Sequence, residues 1–115
     1  MTSKFYYDAD ADDMIISNKL NDERVKKNYL FDDFVISVTG SGKIVGLEIR
    51  NVSNFLKDSG LDADTLKSIK EVELTIVPRR DFIAIYVSLS VLHGGNLVIR
   101  RIPITHIPSE IAVNN

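Results

Sequence analysis

Apolar runs of strand length recur along this chain, each set against a turn rich in aspartate or glycine, and that pattern predicts antiparallel β-hairpins. Lys4 to Tyr7 and Asp13 to Ser17 flank an acidic stretch whose aspartates favour a turn by bonding their own backbone. Phe34 to Val38 and Lys43 to Ile49 flank Thr39-Gly40-Ser41-Gly42, whose glycines supply the positive φ of a tight reversal. Between these hairpins, Asn18 to Lys27 holds only Leu20 and Val25 as apolar residues and reads as a surface loop.

The second half alternates more regularly. Val72, Leu74 and Ile76 interleave with Glu71, Glu73 and Thr75, as in a half-buried strand. A turn over Pro78 to Asp81 would pair Val77 with Phe82, and Gly94-Gly95 would pair His93 with Asn96, giving a three-stranded meander. Counting from those turns places Val72, Leu74, Ile76, Ile83, Ile85, Val87, Leu89, Val91, Val98, Ile102 and Ile104 on one face. Burying each such side chain is worth roughly 1.5–3 kcal/mol. Ser53 is the expected cap of a short helix carrying Phe55 and Leu56 and ending at Gly60. Asp62 or Asp64 would start a second helix through Ile69, and this helical segment would cover the apolar face. The fold class is therefore α+β, dominated by antiparallel hairpins and a meander with one or two short covering helices.

Two residues disturb the meander. Arg100 falls on the apolar face, which calls for a bulge or for a charge emerging at a sheet edge. Pro103 cannot donate to a ladder and makes the last strand an edge. Ile102, Ile104 and Ile107 then form an apolar edge that needs a partner or a lid, and a homodimer is expected there, its register helped by the charge reversal from Arg100-Arg101 to Glu110.

A chain of 115 residues makes one domain of ordinary size, with 44% apolar and 26% charged residues. A net charge of -2 gives no overall attraction to nucleic acid or anionic membrane. The absence of cysteine removes disulfides, thiolate zinc sites and cysteine nucleophiles. No apolar stretch approaches the roughly 20 residues of a membrane span and no long apolar leader follows Met1, so a cytoplasmic location is expected.

Several segments resemble chemistry without completing it. Asp8, Asp10, Asp12 and Asp13 begin like a calcium loop, but Asp13 holds the glycine position and Lys19 that of the closing glutamate. Gly40-Ser41-Gly42-Lys43 lacks the leading glycine and the Ser or Thr of a phosphate loop, and it runs into a strand. His93-Gly94-Gly95-Asn96 has no Gly-x-Ser-x-Gly elbow to serve, and His93 and His106 alone make no metal site. Arg79, Arg80, Arg100 and Arg101 are a candidate basic patch, though Arg101 is expected across from Ser88 and diagonal to Glu71 and Glu73. Glu48 reads as a structural acceptor for Tyr7 or a backbone amide. No catalytic, cofactor or metal residue is assigned.

Tyr7-Asp8, Ala11-Asp12, the strand Met14-Ile15-Ile16 and the run Gly42-Lys43-Ile44-Val45-Gly46-Leu47-Glu48-Ile49 resemble the signature of a prokaryotic domain-of-unknown-function family, numbered twenty-two eighty-three. The resemblance spans residues 4–56, its motif positions being Tyr7, Asp8, Asp12, Gly42, Gly46 and Glu48. It departs at Ser37 to Ser41, where an Asp-x-Asp is common, and at Asn51-Val52, where an Asp-Ala pair is common. It implies an antiparallel sheet with a following helix, transfers no catalytic residue, and through toxin-like operon neighbours of some members implies an antitoxin or partner-binding role. Residues 57–115 would be an added helix and meander within one domain.

Taken together, the residues point to a non-catalytic protein-interaction module that forms a homodimer. An antitoxin-like or nucleic-acid-binding regulator would need the four arginines in one surface patch. A carboxylate-metal hydrolase would need Asp8, Asp10, Asp12 and Glu48 to converge.

Overall fold

The computed structural model describes residues 2–108, and its α+β architecture has two antiparallel sheets. The first sheet contains β1 (Lys4–Asp8), β2 (Asp13–Ser17), β3 (Val25–Phe31), β4 (Phe34–Thr39) and β5 (Ile44–Arg50), in the order β1-β2-β5-β4-β3. Helix α1 (Val52–Asp58) and a 3-10 turn (Ala63–Lys67) lead to the meander of β6 (Ile69–Pro78), β7 (Phe82–His93) and β8 (Asn96–Pro108).

The acidic turn forms as expected. The Asp8 carboxylate accepts the amides of Asp10 at 3.1 Å and Ala11 at 3.3 Å, and Asp12 closes the reversal in the left-handed region at φ 55°. At the second predicted hairpin, Gly42 takes φ 90° and donates its amide to the Thr39 carbonyl. Four elements differ from expectation. The loop after β2 ends at Arg24, and β3 begins inside it at Val25, because this edge strand turns mostly Lys26, Lys27, Asn28 and Leu30 to solvent while Tyr29 and Phe31 pack on the core. Ser53 lies within α1 rather than capping it. The helix is capped by Asp12, whose carboxylate accepts the Ser53 amide at 3.2 Å and the Ser53 hydroxyl at 2.7 Å. The second helix is only the 3-10 turn, started by Asp62 accepting the Asp64 amide, and Ile69 already belongs to β6. In the meander, Val77 pairs with Ala84 rather than Phe82. A two-residue slip leaves every side chain on its expected face.

One core joins all the elements. Met14, Ile16, Ile36, Leu47 and Ile49 from the first sheet meet Val72, Ile85, Val87 and Leu89 from the meander, with Val52, Leu56 and Leu66 between. The helical segment therefore shares its covering role with the inner face of the five-stranded sheet. A polar joint links the sheets beside this core: Ser3 donates its amide to the Val72 carbonyl at 2.8 Å, and its Oγ accepts the Leu74 amide at 2.9 Å. The same hydroxyl bonds Asn18 Oδ1, while Asn18 Nδ2 reaches the Leu74 carbonyl at 2.9 Å.

β8 is an edge strand, as Pro103 requires, but Ile102 and Ile104 are only 7% and 5% exposed. They fill the chain's own core and do not form an outward apolar edge. Arg100 sits in regular register opposite Leu89 and reaches solvent, so the edge rather than a bulge accommodates it. The side chains of His93, His106 and Ile107, and Glu110 as a whole, lie outside the described residues.

Candidate interaction face

Four strands of the first sheet carry three consecutive apolar residues: Phe5-Tyr6-Tyr7, Met14-Ile15-Ile16, Tyr29-Leu30-Phe31 and Phe34-Val35-Ile36. A strand with one wet face alternates; a strand apolar on both faces is characteristic of sheets covered on both sides. The register aligns the centres of these triplets. Tyr6 pairs with Ile15, Ile15 with Glu48, Glu48 with Val35, and Val35 with Leu30, so a single row crosses all five strands on the face away from the core. Leu30, Tyr6 and Ile15 are 66%, 62% and 48% exposed.

A groove of about 440 Å³ opens along this row, lined among others by Ile15, Ser17, Lys19, Ser37, Gly46 and Glu48. Gly46 helps to keep it open. A Cβ there would lie 3.3 Å from the Ser37 Cβ and 3.4 Å from the Ile16 carbonyl oxygen. Glu48 is half-buried, its carboxylate 3.7 Å from Arg50 Nε. Its pKa is raised, first by desolvation and then by a hydrogen bond and charge from Asp13, against the opposing pull of Arg50. The partner expected for Glu48 is elsewhere: Tyr7 lies on the inner side of β1 and its hydroxyl meets Asp12 at 3.4 Å. The loop after β2, which brings Lys19 to the groove, is tied to the β4–β5 turn where Glu23 meets Lys43 at 2.8 Å; Lys43, together with the Leu20 amide, lowers the Glu23 pKa.

The other sequence candidates separate. Asp8 closes its own turn, Asp12 caps α1, Asp10 is exposed, and Glu48 faces the groove. Among the described residues, no three His, Asp or Glu side chains come together in a way that could hold a metal ion. Arg79 and Arg80 sit at the β6–β7 turn, whereas Arg100 and Arg101 pair with Leu89 and Ser88, roughly 20 Å further along β7 at strand spacing. Arg101 lies over the Tyr86 ring, 4.0 Å from its centroid, and alternation sends Arg100 to the opposite face. The four arginines thus form no single patch.

The row was missed in sequence because it exists only after β2 and β4 pair with β5; the available signal was the set of four apolar triplets. Among the described residues no helix is long and apolar enough to cross a membrane. No protein-family model, curated protein or solved structure matches the chain.

Proposed function

We propose that this chain is a non-catalytic protein-interaction module that forms a homodimer, and that it binds through the outer face of its five-stranded sheet. The carrying observation is the row Tyr6, Ile15, Glu48, Val35 and Leu30, whose apolar members face solvent at the centres of four apolar triplets. Two of the four edge strands, β3 and β8, argue for the face over edge pairing. β3 is interrupted by a bulge between Val25 and Lys27 and carries Lys26 and Lys27; β8 carries Pro103, a bulge and two arginines. All are devices that blunt strand addition. Five strands about 4.8 Å apart and about 20 Å long present roughly 500 Å² per copy, so a pair buries about 1,000 Å², near the lower bound of specific interfaces.

Light scattering at tens of micromolar should give the mass of a dimer, and Ile15→Lys should give a monomer with an unchanged circular dichroism spectrum. A wild-type chain that is monomeric throughout that range overturns the self-association reading.

A further inference from the structure

The outer face carries opposite charge at its two ends. Beyond one side of the apolar row lie Lys4, paired with Ser17, and Lys19, at the groove's rim. Beyond the other side lie Asp8 and Asp13, paired with each other, with Arg50 across from Asp13 and close to the Glu48 carboxylate. The strands therefore run from a basic margin through an apolar middle to an acidic margin.

Resting on the self-association reading above, we infer that the occupant of this face is a second copy of the chain, related by a two-fold axis that runs along the Tyr6-to-Leu30 row. Two sheet faces can be stacked by a two-fold only if the axis lies in the plane between them. An axis along the strands would set the lysine margin on the lysine margin and the aspartate margin on the aspartate margin. An axis along the row reverses the strand direction of the second copy. Lys4 and Lys19 of each copy then oppose the Asp8 and Asp13 end of the other, and the apolar row meets its own copy. Charge complementarity selects the second arrangement. Glu48 then stands close to its counterpart, each carboxyl with a pKa already raised by burial and by Asp13 against the pull of Arg50.

Two charge-reversed chains test the axis. One carries Lys4→Glu and Lys19→Glu; the other carries Asp10→Lys and Asp13→Lys, leaving Asp8 to close its turn. Each alone should be monomeric at a concentration where the wild type is a dimer, and an equimolar mixture should regain the dimer mass, because each reversed margin meets a complementary one. A wild-type dimer whose variants still dimerise alone, or whose mixture stays monomeric, overturns the axis while leaving self-association intact. A wild-type monomer instead overturns the reading on which the axis rests. A second measurement does not depend on the charge variants. The chain has no cysteine, so Ile15→Cys places one thiol on the row and Leu97→Cys places one on the meander. A short bismaleimide should link the first into a covalent dimer and leave the second unlinked; the opposite pattern overturns the outer face as the interface and the axis with it.

Discussion

At the scale of single residues, Gly46 and Glu48 show how one strand position serves the sheet and the next outward position serves its surface. Gly46→Val should destabilise the fold by about 1–3 kcal/mol, since the added atoms press on Ser37 and the β2 backbone. Gly40→Ala, with nothing within 4 Å of the new Cβ, should stay within about 0.5 kcal/mol. Urea midpoints separate the two, and Ser37→Gly should recover part of the Gly46→Val loss; a neutral Gly46→Val would show that the glycine has no packing role. Glu48 gives a pH signature. Its folded-state pKa is raised, so the folded chain holds this proton more tightly than the unfolded chain, and the associated stability is complete below the unfolded pKa and lost as pH rises through the folded value. Glu48→Gln should therefore gain stability over wild type at neutral pH and lose that advantage as the solution is acidified below the ordinary glutamate range. Denaturation series at submicromolar protein, across pH 3 to about 7, would show it; a difference that grows on acidification would contradict the assignment.

At the scale of elements, α1 owes its N-terminus to a residue 41 positions away in sequence. Asp12→Ala removes the cap and places alanine at φ 55°, and should cost about 2 kcal/mol, whereas Asp12→Asn keeps an acceptor and tolerates the left-handed region and should cost less than about 1 kcal/mol. Thermal melts of both variants check this, and equal losses would discount the capping role. The same contact shows why local reading stopped short. Ser53 has the right chemistry for a cap at the right place in the sequence, but the first hairpin delivers a carboxylate to the spot and Ser53 becomes its donor. β7 and β8 were legible because Gly94-Gly95 fixes the turn and the aliphatic residues of β7 alternate regularly, a pattern that β8 continues on either side of Arg100. β3 was obscured because an edge strand with a solvated outer side keeps Lys26, Lys27 and Asn28, a composition that loops share. Gly46 and Glu48 stood out as motif positions, while the face they belong to required β2 to be paired with β5 across the two intervening strands.

At the scale of the whole molecule, the two sheets share a core and are tied together by the Ser3–Asn18–Leu74 joint. Ser3→Ala leaves a buried Leu74 amide without its acceptor and should cost about 1–3 kcal/mol. Hydrogen exchange should accelerate at the Leu74 amide more than at amides within β4; uniform acceleration would mean that the joint acts only through global stability. The strand order has a further consequence for biosynthesis. β5 lies between β2 and β4 yet is the last of the five to be made. A chain emerging from a ribosome therefore carries two hairpins with complementary empty edges, and they remain unjoined until residues 44–50 clear the exit tunnel, an interval of about a second at ordinary synthesis rates. During that interval Ile16 and Ile36 lack the strand that will separate and cover them. Translational pausing before β5 would lengthen their exposure, so the timing of one central strand sets how long these two edges of the nascent chain stay open.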